Sequence, residues 1–162
     1  MDAKRIIKNV TEFSWMLVRS YLSDFTDAEL LVRPVPQANH PAWQFGHMIA
    51  GTGQMLGMLG HPAPALPDGF VAAHSAESSK SDDAKKFATK DEYFALADKM
   101  KAATMAAIDV TPDAALDQPA PEAMREYAPT VAEALTVLGA HAMMHAGQFV
   151  PVRRKLGKPV LF

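Results

Sequence analysis

The sequence of 162 residues contains no cysteine. Disulfide bonds, thiolate nucleophiles and cysteine-based zinc sites are therefore excluded, and any metal ion must be held by nitrogen and oxygen ligands. The formal net charge is −2, and the one short basic run, Arg153-Arg154-Lys155, suits the C-terminal end of a helix. This charge distribution argues against binding to nucleic acid.

Long apolar runs are also missing. No run reaches the roughly 18 residues that cross a bilayer, and the N-terminal segment lacks the apolar core of a secretory signal. We therefore expect a soluble, cytoplasmic protein without a membrane partner. Because 49% of the residues are hydrophobic, residues 1–162 can bury the core of a single domain.

No segment of useful length has the two-residue periodicity of a β-strand, whereas apolar residues recur at helical spacing. Capping boxes predict helix starts at Thr89 and Thr130, and a third box at Thr26 predicts a short helix. Gly157 suits the left-handed residue that follows a helix. The main helices are predicted over residues 3–22, 41–59, 89–108 and 130–156. The fold class is therefore all-α, best packed as a four-helix bundle.

Two long, proline-containing connections are predicted over residues 61–88 and 111–129. A long connection in a compact domain is commonly a lid or a mobile segment, and we expect residues 61–88 to shape the entrance of a pocket. Pro151 lies inside the last predicted helix, where it removes a hydrogen bond and crowds the carbonyl of Gly147. We expect a kink between these two residues rather than an early helix end.

Two of the six histidines, His141 and His145, are four residues apart on the last predicted helix. This spacing projects both imidazoles from nearly the same line, roughly 6 Å apart along the helix axis, so that they can share one metal ion. His47, on the apolar second helix, is the best candidate for a third ligand. The alternative is that each histidine is a hydrogen-bonded core residue, because spacing alone does not show whether the two helices are neighbours.

The other histidines are interpreted differently. Asn39 or His40 is expected to cap the second helix, with His40 a cap or turn residue, whereas His61 is expected at the end of this helix and His74 exposed in a loop. Gln44 and Gln148 lie on the same helix faces as the candidate ligands, where each could orient a bound group or form an interhelical hydrogen bond.

Three segments in a fixed order carry a more specific pattern. They are Trp43 to His47, then His141-x-x-x-His145-x-Gly147-Gln148, then Arg153-Arg154-x-Leu156-Gly157-Lys158-Pro159. Together with the chain length and the helix count, these segments resemble the DinB/YfiT-like family of metal-dependent proteins, over nearly the whole chain.

The resemblance implies a four-helix bundle of up-down-down-up connectivity with two long connections. It also implies a divalent metal ion, usually zinc or nickel, held by His47, His141 and His145. Family members are commonly dimers, so a homodimer is expected. Some relatives are thiol-dependent enzymes that use mycothiol or bacillithiol as cosubstrate, whereas many have no assigned reaction. A small-molecule substrate is therefore expected, and the catalytic residues are unknown.

Three neutral imidazoles around a divalent ion leave at least one coordination position open. Such a centre can lower the pKa of a bound water to about 7 or hold a thiol as its thiolate. The sequence thus predicts a metal-dependent enzyme, a thiol-dependent S-transferase or a related transferase or hydrolase of small molecules. The alternative is a non-catalytic helical stress or ligand-binding protein that the metal ion only stabilises.

Overall fold

The computed structural model describes residues 2–161, and the described chain is helical without β-strands. None of its helices is long and apolar enough to cross a membrane. Short 3-10 turns lie in the connections, at Glu29–Leu31, Glu77–Lys80, Ala84–Lys86, Asp113–Ala115 and Glu122–Met124. The α-helices are α1 (Ala3–Leu22), α2 (Pro41–Met58), α3 (Phe70–Ala73), α4 (Lys90–Val110) and α5 (Val131–Lys155).

Three long helices begin at the predicted caps. The Nδ1 atom of His40 accepts a hydrogen bond from the amide of Trp43, and Pro41 is the first residue of α2. Thr89 and Thr130 each form a complete capping box with the glutamate three residues later, at the starts of α4 and α5. Of the two predicted candidates for the cap of α2, Asn39 and His40, the structure uses His40.

The helix ends differ slightly from the sequence-based boundaries. The helix α4 continues to Val110, and the short helix predicted at Thr26 is a single 3-10 turn. The helix α5 passes through Pro151 and ends at Lys155. Gly157 follows with a φ of 68°, the left-handed conformation expected there. Continuation of α5 past the proline is confirmed, whereas the bend stays a prediction.

The helix α5 packs along α1, and α2 packs against both α4 and α5. Gly139 of α5 lies directly against Thr11 of α1. A Cβ atom at Gly139 would lie 2.7 Å from the Oγ1 atom of Thr11 and 2.9 Å from its Cα atom. The absence of a side chain at Gly139 is therefore required for this close approach, which occurs two residues before His141 on the same helix.

Arg153, near the end of α5, is fully buried. Its guanidinium donates to the carbonyl oxygen of Tyr21 and the carboxylate of Asp24, each at 2.6 Å, and to the carbonyl oxygen of Pro159 at 2.7 Å. The hydrogen bond from Arg153 holds the pKa of the Asp24 carboxyl below its usual value. The basic run at the end of α5 thus ties the C-terminal segment to the end of α1.

The prediction that His74 is exposed is wrong, because its side chain is 3% exposed. Its Nδ1 atom donates to the carbonyl oxygen of Phe70, and its Nε2 atom accepts from the hydroxyl of Tyr93, both at 2.7 Å. The Tyr93 oxygen in turn accepts from the amide of Ala88. A Cβ atom at Gly46 would lie 2.0 Å from the His74 ring, so this glycine makes room for it. Burial lowers the pKa of His74 to about 4.

Candidate metal centre

Three histidine side chains meet between α2 and α5. One ring nitrogen each of His47, His141 and His145 lies within 4.8 Å of the others, and the Nε2 atoms of His141 and His145 are 3.2 Å apart. The described chain contributes no carboxylate to this cluster. The i, i+4 spacing brings the two histidines of α5 together, and the packing of α2 on α5 adds His47.

Burial lowers the pKa of each histidine in the cluster below its usual value. The effect is largest at His145, whose pKa falls to about 3, mainly through burial and additionally through repulsion by the other two rings. All three rings are therefore neutral at pH 7. A neutral imidazole has one nitrogen with a free lone pair, which is the form that binds a metal ion.

Gln44 determines which nitrogen of His145 has that lone pair. The Nε2 atom of Gln44 donates to the carbonyl oxygen of Asn39 at 2.7 Å, so its Oε1 atom faces His145. Because this oxygen can only accept, the Nδ1 atom of His145, 3.1 Å away, must be the donor. The Nε2 atom of His145 therefore presents its lone pair to the cluster. Of the two roles considered for Gln44, the interhelical hydrogen bond is observed, and it also orients the ring.

His141 lacks such a partner. Its Nδ1 atom is buried and has no hydrogen-bond partner in the described chain. Gly51 of α2 lies beside this ring, and a Cβ atom there would lie 3.8 Å from the nitrogen. Metal-binding histidines usually donate their second N–H to a protein group. The two histidines of α5 thus differ in the support that their rings receive from the surrounding protein.

The residues present fit a divalent metal ion. Two nitrogen ligands of a tetrahedral zinc ion are separated by about 3.3 Å, given zinc–nitrogen distances of about 2.0–2.1 Å. The observed separation of 3.2 Å between the Nε2 atoms of His141 and His145 is close to that value. Neutral imidazole nitrogens also suit zinc and nickel better than magnesium or calcium, which prefer oxygen ligands.

Of the other side chains considered for this site, Trp43 contacts the His47 ring, whereas Gln148 lies outside the cluster. The indole of Trp43 stacks on the His47 ring, with centroids 4.9 Å apart and planes at 8°. The Nε1 atom of Trp43 donates to the carbonyl oxygen of Ser75 at 2.9 Å, which links the 61–88 connection to this part of α2. Gln148 is exposed, unlike the buried Gln44. Its predicted role beside the cluster is not seen in the geometry.

The remaining histidine, His61, lies just after α2 as predicted, and its Nε2 atom is 3.4 Å from the Thr111 hydroxyl. It does not belong to the cluster.

A groove of about 340 Å³ adjoins the cluster at His141, and Tyr127 from the 111–129 connection lines it. Sequence analysis missed Tyr127, since nothing in its proline-rich surroundings links it to the cluster. A larger pocket of about 740 Å³ lies between the 67–88 segment and α4, and its lining includes His74 but none of the three clustered histidines. The position of the groove, rather than its size, makes it relevant to chemistry at the cluster.

Comparison with known proteins agrees with the helical fold. The chain is similar over 98% of its length, and over 99% of the other chain, to a solved structure described as a conserved protein from Enterococcus faecalis. The TM-score is 0.70 and the sequence identity 17%, a likeness that concerns the fold alone. No curated protein matches the chain. The model of the DinB superfamily matches residues 11–149, most of the sequence, and the chain belongs to that superfamily.

Proposed function

We propose that this protein is a metal-dependent enzyme that activates a thiol cosubstrate or a water molecule at a three-histidine centre. The proposed ligands of a zinc or nickel ion are His47, His141 and His145. The observation that carries the proposal is the convergence of three neutral imidazoles, whose candidate ligand atoms lie within 4.8 Å of one another, without a carboxylate. A thiol-dependent S-transferase, or a related transferase or hydrolase of small molecules, is the reaction class that this centre best supports.

Neighbouring residues and burial prepare the three histidines for binding a metal ion. Gln44 holds His145 with its Nε2 lone pair towards the cluster, and Trp43 limits rotation of the His47 ring by stacking on it. Burial keeps the rings neutral, so that they are ready to bind a cation at pH 7. A divalent ion held by three imidazoles would supply an open coordination position and would lower the pKa of a water or thiol bound there.

The proposal extends to the architecture and the assembly. We infer that α1, α2, α4 and α5 form a four-helix bundle of up-down-down-up connectivity, because the long connection between α2 and α4 allows these two helices to run in the same direction. We also propose a homodimer and a small-molecule substrate. A non-catalytic role, in which the ion only stabilises the helices, is the competing function. One observation favours this non-catalytic role. The Nδ1 atom of His141 has no hydrogen-bond partner among the described residues, whereas the histidines of catalytic metal centres usually donate this N–H to a protein group.

The first experiment is metal analysis of the purified protein, followed by assays with candidate thiols and electrophiles. His145→Ala should abolish the activity while the melting temperature stays within a few degrees. His61→Ala is the matched control, because this histidine lies outside the cluster and its removal should leave the activity unchanged.

Two results would contradict an enzymatic role. The first is a protein that unfolds when the ion is removed by a chelator and that shows no exchangeable coordination position, as expected of a structural site. The second is equal loss of activity in the His145→Ala and His61→Ala variants, because such a loss would reflect general damage rather than the cluster.

A further inference from the structure

We propose that the groove beside His141 binds an uncharged, apolar part of the substrate. The inference rests on the proposed function, since it assigns this groove to the substrate of the three-histidine centre. The groove has a volume of about 340 Å³ and lies between α2 and α5, with Tyr127 of the 111–129 connection at its border. Because His141 belongs both to the cluster and to the groove, a molecule held at the His141 end of the groove touches the proposed centre.

The groove leads away from the cluster along α2. Gly51, Met55 and Met58 follow His47 by four, eight and eleven residues, so they lie roughly 6, 12 and 16 Å further along the helix axis. A Cβ atom at Gly51 would lie 3.4 Å from the Cε1 atom of His141. The missing side chain at Gly51 therefore leaves the groove open up to the edge of the imidazole.

The chemistry of the lining defines the ligand class. Two methionine thioethers and Val137 supply apolar walls, and Gln54 and Tyr127 add neutral polar groups. The lining contains no lysine, arginine, aspartate or glutamate. A positively charged group placed here would lose hydration without gaining an anionic partner, and the divalent ion proposed at His141 would repel it. The volume is near the lower end of small-molecule sites, so the ligand group is small, such as a short alkyl chain or one ring.

Binding of simple probes tests this inference independently of turnover. The probes are 1-butanol and 1-hexanol, with hexylammonium as the charged comparator. The readout is the 13C-methyl NMR signals of Met55 and Met58, first in metal-free and then in zinc-loaded protein. We expect each added methylene to strengthen binding about fourfold, and we expect hexylammonium to shift neither signal.

Blocking the groove provides the matched variants. Val137→Phe places a ring in the groove on the α5 side, and it should weaken binding of 1-hexanol at least tenfold. Val110→Phe is the control, because Val110 is 68% exposed at the end of α4 and does not line the groove. Met58→Trp is a second blocking variant if Val137→Phe does not fold.

The outcomes separate this inference from the proposed function. Zinc binding is measured by calorimetry on the same samples, so a chain that binds 1-hexanol but not zinc contradicts the proposed centre alone. Two results in protein that binds zinc would overturn the groove assignment alone. One is equal affinity for 1-butanol and 1-hexanol, and the other is 1-hexanol binding that neither blocking variant weakens. Tighter binding of hexylammonium than of 1-hexanol overturns the charge argument as well.

Discussion

Two histidine sites lie against α2 and differ in hydrogen bonding: the buried side chain of His74, and the partly buried cluster of His47, His141 and His145. At His74 every polar atom has a partner, since Phe70 accepts from one nitrogen, Tyr93 donates to the other, and Ala88 donates to the tyrosine oxygen. At the cluster of His47, His141 and His145, ring nitrogens face one another, and the Nδ1 atom of His141 has no partner in the described chain.

The difference separates a structural histidine from a candidate ligand. A closed network of donors and acceptors needs nothing further, and it stabilises the fold because each buried polar atom is satisfied. Three neutral imidazole nitrogens that face one another cannot all be satisfied by each other, because one N–H bonded to one lone pair leaves the third nitrogen without a partner. The cluster therefore favours an external cation in a way that His74 does not.

The largest expected effect is on metal affinity. Removing one of three ligands by His145→Ala should weaken zinc binding on the order of several hundredfold to a thousandfold, because each zinc ligand contributes about 3–4 kcal/mol to a site worth about 10–16 kcal/mol. His74→Ala, in the closed network, should leave the affinity within a few-fold of the parent. Calorimetric titration with zinc checks both variants. Equal affinities would remove the distinction between the two groups.

The second effect concerns stability at low pH. The pKa of His74 is about 4 in the folded protein, below the ordinary value of 6.5, so between these values the unfolded chain binds the proton more tightly. The free energy of unfolding is therefore highest above pH 6.5 and decreases as the pH falls towards 4, by up to about 3 kcal/mol from this residue. His74→Gln should lose less stability over this range, as measured by urea unfolding at pH 7 and pH 4.5. A slope identical to that of the parent would contradict the assignment.

The third effect concerns the orientation of a single ring. Gln44→Leu removes the acceptor for the Nδ1 atom of His145, and loss of such an orienting hydrogen bond usually costs about 10- to 100-fold in metal affinity. Gln148→Leu is the matched control on α5, because Gln148 is exposed and should not matter. A similar loss in both variants would show that the hydrogen bond from His145 to Gln44 is not the cause.

The smallest effect is a gain. Gly51→Ser places a hydroxyl near the unpartnered Nδ1 atom of His141, because a Cβ atom at Gly51 lies in ordinary contact with that ring. We expect zinc affinity to rise a few-fold, measured by competition with a chelator. Gly51→Ala fills the same space without an acceptor and should give no gain. Equal gains in the two variants would mean that packing, rather than hydrogen bonding, limits the site.

Local signals predicted much of the helical structure. The capping boxes at Thr89 and Thr130 and the left-handed residue Gly157 depend on neighbours within a few positions, so the sequence contains all the information needed. The 3-10 turn that replaces the helix predicted at Thr26 also depends on nearby residues, because i to i+3 and i to i+4 hydrogen bonds compete in so short a segment. Such boundaries are the least determined part of a sequence-based prediction.

Long-range contacts explain what sequence reasoning could not decide. His74 was predicted to be exposed because the groups that bury it belong to other elements of the fold. Tyr93 supplies a hydroxyl to its ring, and the missing side chain of Gly46 leaves room for that ring. The roles of Gln44 and Gln148 were equivalent by spacing, and the packing of α2 against α5 buries the first and exposes the second. The meeting of His47 with the histidines of α5 likewise depended on which helices are neighbours. The family resemblance indicated that pairing, whereas periodicity did not.

The contact between Gly139 and Thr11 has a consequence for how this protein tolerates change. Backbone atoms of α1 and α5 leave no space for a methyl group at this point, and two candidate ligands follow within six residues on α5. A bulkier residue there would push α5 outwards and shift its imidazoles relative to α2. Substitutions where α1 meets α5 would then change the distances between the three candidate ligand nitrogens, without touching any of these histidines.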